Sequence, residues 1–280
     1  MFTITLLPIA VFLVFLNLKT HYLIYLISVV GTRLDNVVPL KTRRVLSIVF
    51  GMFEACFGSI AYGLNALYPI LQENNVYGEV CTNSTGGCSD QLLIYANAYT
   101  TLAIAPIVLG IVLGFLIDKI GLRVINLLTT LMNFLGLLLF VFLNSSNAVI
   151  IFIGSTLSSV GGNGMVVATL SISRLFTKTS AMVTTLIQGI CDSSSVFFAF
   201  VYLTHESNFS FKSSFLILAI ACLVAGLLNS LFVMTYWIED MMKCKGKLDN
   251  TSSIESSFNT SEVNHTSIKR FVVFLKHVVD

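Results

Sequence analysis

Apolar residues in this chain fall into six long blocks separated by short polar ones. The blocks run from Leu46 to Leu71, Leu92 to Ile117, Val124 to Leu143, Ala148 to Ser173, Ala181 to Leu203 and Phe211 to Ile238. Each reaches the length of about 20 mostly apolar residues that an α-helix needs to cross a bilayer core. The ten-residue alternation of a membrane β-barrel is absent. Because a lipid-facing backbone must satisfy its hydrogen bonds within each helix, the pattern predicts an all-α integral membrane protein. Residues 46–238 form a six-helix bundle, 1–45 an N-terminal segment of unassigned role, and 239–280 a polar, Ser- and Asn-rich cytoplasmic linker or tail.

Composition agrees. The 280 residues include only 16 Lys plus Arg and 14 Asp plus Glu, where a soluble domain of that length would carry about 70 charged side chains. No basic face of the kind that holds nucleic acid is present. The placement of the cations sets a direction. With the segment before the first span on the cytoplasmic side, the inner loops hold Lys41, Arg43, Arg44, Lys119, Arg123, Arg174, Lys178, Lys243, Lys245 and Lys247, and the outer loops only Lys212. The same orientation places Cys81, Cys88 and the sequons at Asn83 and Asn208 outside, where a disulfide forms readily and glycosylation is possible. The protein is therefore expected in the plasma membrane with both flanks of the bundle cytoplasmic. Residues 2–31 are apolar but interrupted by Lys19, Thr20 and His21; they read as a leader, an extra membrane segment or an incorrectly assigned start. Ile268 to Val279 has the basic and apolar mix of a short helix lying on the inner leaflet.

Ionisable groups in mid-membrane are costly and point to function. Two qualify, Glu54 and Asp192. On the first span Glu54, Gly58, Ala61 and Asn65 recur at helical spacing with Tyr62 alongside; on the fifth, Thr185, Gln188, Asp192 and Ser195 do the same. Two such stripes are expected to line one aqueous pocket, with Asn163 of the fourth span as a further contact. Ser155, Ser158, Ser159, Gly161, Gly162 and Gly164 read as a close-packing face, as do Gly110 and Gly114. Cys56, Cys191 and Cys222 read as small apolar packers. Tyr68 and Tyr95, near the outer ends, read as interface anchors. The four histidines show no metal spacing. No enzyme motif, cofactor-binding motif, voltage-sensing Arg row or filter loop is present.

Between the second and third spans the chain reads Gly114-Phe-Leu-Ile-Asp118-Lys119-Ile-Gly121-Leu-Arg123. Gly114 permits close helix contact, Gly121 a tight reversal, and Lys119 and Arg123 hold the inner face. This run resembles the loop signature of the major facilitator superfamily. A narrower resemblance, to solute-carrier family forty-three, rests on Gly51-Met-Phe-Glu-Ala-Cys-Phe-Gly, the paired-cysteine outer loop, Val160-Gly-Gly-Asn-Gly, the inner Arg174-Leu-Phe, and Gly189-Ile-Cys-Asp-Ser-Ser-Ser-Val. The resemblance implies facilitated transport of large neutral amino acids or nucleobases, by twelve spans in two halves with the solute between them, of which this chain carries the first. It then works as part of a larger transporter, as a homodimer, or as a non-transporting regulatory or assembly partner. A zwitterion needs positive groups or helix N-termini for its carboxylate, and the spans offer no buried Lys or Arg. A neutral planar base needs only donors, acceptors and an aromatic face, which Glu54, Tyr62, Asn65, Asn163, Gln188, Asp192 and Ser195 supply, so a nucleobase-like solute is favoured.

Overall fold

The computed structural model describes residues 40–81, 88–145, 148–176, 179–206 and 210–234, all within the unit Met1–Ile238. The N-terminal apolar stretch, both sequons at Asn83 and Asn208, and everything in the second unit, Glu239–Asp280, lie outside the described residues. The described part is all-helical, with six helical segments long and apolar enough to cross a membrane.

The first segment is interrupted. Helix α1 (Leu40–Ala55) ends in a turn, the chain continues as a 3-10 helix (Ile60–Leu67), and α2 (Tyr68–Glu73) completes the span. The second, third and fourth spans are α3 (Ser89–Ile120), α4 (Leu122–Val141) and α5 (Ile150–Leu170). The fifth is also interrupted, as α6 (Ser180–Ser193) and α7 (Val196–Glu206); the sixth is α8 (Phe211–Phe232). Each observed span lies close to its expected bounds, because the polar breaks that end it are local features of the chain.

Close packing centres on α4 and α5. A Cβ at Gly161 would run into the Asn133 backbone and one at Gly136 into the Ser158 backbone, so these helices approach to main-chain contact. The small residues of the fourth span are buried as expected, Ser155, Ser158 and Ser159 among them. The same reading of Gly110 and Gly114 does not hold within the described bundle: no atom of the described residues lies within 4 Å of a Cβ built on either. Helix α3 turns Leu109 and Leu113 inward, onto Ile125, Met132 and Val160, and this leaves the two glycines beside open space. The outward face of α3 carries Ile104, Ile107, Ile111 and Phe115, a surface suited to lipid.

At the disulfide end Phe140, Phe198 and Phe215 bring α4, α7 and α8 together, with Phe140 and Phe215 stacked at 5.0 Å. The expected Cys81–Cys88 bond is present, with a Cα separation of 5.8 Å. Tyr95 is not an interface anchor but a fully buried clamp. Its hydroxyl donates to the Val76 carbonyl at 2.6 Å, and Gln91 Nε2 donates to the same oxygen at 2.7 Å. The reason lies in the turn, where Asn75 and Tyr77 both have positive φ, and the two side chains satisfy a buried carbonyl. Tyr68 is half-buried and donates to the Tyr95 carbonyl at 3.2 Å.

At the opposite end Gly121 joins α3 to α4 with φ 95° and ψ 153°, a region open essentially to glycine alone. The tight reversal is as the motif predicts.

Replacing Gly161 with Ala should destabilise the protein by about 1–3 kcal/mol, since the added methyl meets backbone. Gly110→Ala should be neutral or stabilising by up to about 1 kcal/mol, from helix propensity alone. Thermal unfolding in detergent reads both; equal losses would contradict the packing described.

Candidate functional site

The two interruptions face each other across the bundle. After Glu54 the backbone closes with tight bonds, from Phe57 N to the Glu54 carbonyl at 2.9 Å and from Gly58 N to the Ala55 carbonyl at 3.0 Å. The amide of Ser59 donates to Ser194 Oγ at 2.8 Å, and Ser59 Oγ lies 2.9 Å from Cys191 Sγ. Ser194 sits at the break in the fifth span, where Ser193 and Ser195 turn their hydroxyls onto the Ile190 and Asp192 carbonyls and compete with the helical ladder. The Phe57 carbonyl is captured by Asn133 Nδ2 at 3.0 Å, whose side-chain oxygen accepts from Ser158 Oγ at 2.7 Å. Two backbone groups of the first break, the Ser59 amide and the Phe57 carbonyl, are thus met by side chains of other spans.

Because the segment after the break is a 3-10 helix, its turn is tighter than the 3.6-residue repeat assumed for the stripe Glu54, Gly58, Ala61, Asn65. The stripe is split: the first three residues are buried and Asn65 is exposed. Tyr62 and Asn163 do meet, with Asn163 Nδ2 donating to the Tyr62 hydroxyl at 3.0 Å. Both are partly exposed.

Glu54 is enclosed. It is 0% exposed and accepts from Asn126 Nδ2 at 2.8 Å, from Thr169 Oγ1 at 2.9 Å and from Asn229 Nδ2. Asn126 Nδ2 also reaches Ser230 Oγ at 2.9 Å. Arg123 joins the same region: it is 1% exposed and its Nε donates to the Ser230 carbonyl at 3.0 Å. The expectation that the spans bury no cation is thus corrected. The physical reason is that Ser230 lies in the last turn of α8, whose final carbonyls have no intrahelical partner and favour a cation. Sequence reasoning also missed Asn126, Asn229, Thr169 and Ser230. The signal was available in Asn126 and Asn229, amides in otherwise apolar helices.

Asp192 sits apart from Glu54. It is exposed and accepts from Gln188 Nε2 at 2.9 Å, with Thr185 exposed on the same face and Ser195 half-buried. The stripes therefore do not line one pocket: one contributes an internal network, the other an open polar face. Asp118 and Lys119 are exposed at the Gly121 end, beside the open side of Gly114. Among the described residues no cluster of His, Cys, Asp and Glu fits a metal ion.

No protein-family model and no solved structure matches the chain. It is similar to equilibrative nucleobase transporter 1 of Bos taurus, 24% identical over an alignment of 187 residues that covers 63% of this chain and 38% of that protein. The chain thus matches well under half the length of this curated relative.

Ser194→Ala should cost about 1–3 kcal/mol, because it strands the buried Ser59 amide, whereas Ser193→Ala, at an exposed position, should change little. Comparing their unfolding midpoints in detergent checks the assignment.

Proposed function

We propose that the chain forms one six-helix half of a facilitator-type transporter for small neutral organic solutes, working by alternating access against a second six-helix bundle. The observation that carries this reading is the open face of the fifth span. Thr185, Gln188 and Asp192 are exposed there on a segment apolar enough to cross a membrane, and a mid-membrane carboxylate facing lipid costs about 2.5–3.5 kcal/mol or more. Such a face fits a water-filled cavity or another bundle. Interrupted spans are tolerated only where buried in protein or lining a cavity, and in transporters they mark the solute site.

The solute favoured is a nucleobase, with large neutral amino acids second. Asp192 and Gln188 offer acceptors and donors, and Tyr62 with Asn163 an aromatic and amide pair, with Asn65 and Ser195 as further polar groups in this reading. Among the described residues the buried cation, Arg123, is engaged at the α8 terminus, and the described open face of the fifth span carries no cation for a carboxylate. Similarity to a protein named as a nucleobase transporter supports the same choice. In this reading Gly114, Asp118, Lys119, Gly121 and Arg123 gate the inner side. The plasma membrane orientation is the one favoured by the basic loops, with Asn83 and Asn208 outside and open to glycosylation.

Uptake of labelled adenine into cells expressing the chain tests the proposal. Adenine and guanine should compete and leucine and phenylalanine should not, and Asp192→Asn should lower uptake about tenfold or more, the effect of losing a hydrogen bond to a charged group. Strong competition by leucine alone would transfer the assignment to amino acids. A surface-expressed chain that takes up none of them would favour a non-transporting partner role.

A further inference from the structure

Glu54 stands one residue before the end of α1, and all three side chains that donate to it come from other spans: Asn126 on α4, Thr169 on α5 and Asn229 on α8. Both amides turn their nitrogens toward the carboxylate, and in doing so leave their own buried oxygens without a partner. A bare buried acceptor is costly, so this arrangement makes sense only if the two Glu54 oxygens are the acceptors the site is built around. On the far side of the same break, Asn133 holds the Phe57 carbonyl and Ser194 the Ser59 amide. The break is gripped at both ends, and Glu54 is shielded from any solute on the open face.

We propose that Glu54 is a positioning residue: it fixes the end of α1 against α4, α5 and α8, and through the backbone of residues 55–59 sets the place of Ser59 against Cys191 and Ser194 on the fifth span, without touching solute. The consequence for transport rests on the reading given under Proposed function; the consequence for the break does not. Removing the Glu54 carboxylate, or a side chain that donates to it, should let the break open locally. The sensor is Cys191, buried and 2.9 Å from Ser59 Oγ.

Site-resolved alkylation of the full chain in detergent by N-ethylmaleimide, read by mass spectrometry, tests this. Glu54→Gln and Thr169→Val should each accelerate modification of Cys191 about tenfold, the loss of one hydrogen bond to a charged group. A reporter introduced as Ala219→Cys, ten residues up α8 from Asn229 and so about 15 Å away along the helix, should not accelerate. The exchange Glu54→Gln with Asn229→Asp restores a facing amide and carboxylate, and should bring Cys191 back toward its original rate. An unchanged Cys191, or equal acceleration at Cys191 and position 219, would overturn the proposal; the second outcome signifies general loosening. Where uptake is measurable, Glu54→Gln should lower the maximal rate and leave KM unaltered, and the exchange should recover the rate. A raised KM that the exchange does not recover would make Glu54 a solute contact and overturn the positioning role. If the chain transports nothing, the transport reading fails while the alkylation result still decides the role of Glu54.

Discussion

A backbone break inside a membrane helix frees amide and carbonyl groups that lipid cannot satisfy, and this demand organises the bundle. The first span breaks after Ala55 and the fifth after Ser193. Their freed groups are met by Asn133, Ser194 and one another's neighbours, so the two irregular segments must sit together and must be surrounded by protein. Once they do, the fourth span has to pass close by. A Cβ on Gly162 would meet the Gly58 backbone, which accounts for a small residue at each place.

The tight α4–α5 pair has a second effect. It brings Asn126, Thr129, Asn133, Ser158 and Thr169 into one buried polar seam, a composition that a water-soluble core would rarely tolerate and that a membrane protein can use as helix-pairing glue. Glu54 enters this seam from the first span and Arg123 approaches it through Ser230. Both charged side chains are thereby taken away from lipid and from the open face. The polar groups exposed on the fifth span include the Asp192 carboxylate, the Gln188 amide and the Thr185 hydroxyl, groups suited to a small polar solute or a facing bundle.

Much of this was legible before any coordinates. Span positions, the reversal at Gly121, the Cys81–Cys88 pair and the small-residue face of the fourth span all follow from composition or spacing within short windows. Three features are not legible in this way. The place of Asn65 depends on a break and a 3-10 segment that regular spacing does not mark, the open side of Gly110 and Gly114 on which face α3 turns to its neighbours, and the burial of Tyr95 on the Val76 carbonyl that needs its hydroxyl.

The sequence by itself determined that the described part of the chain is helical, membrane-embedded and built of six spans, because the bilayer imposes length and apolarity on each span separately. It also singled out the two acids that violate that rule. Only the tertiary structure decided that these acids have different fates. Whether a carboxylate is enclosed or open depends on which donors neighbouring helices bring to it, and Asn126, Thr169 and Asn229 reach Glu54 from 72, 115 and 175 residues away, while Asp192 finds its partner, Gln188, four residues back on its own helix.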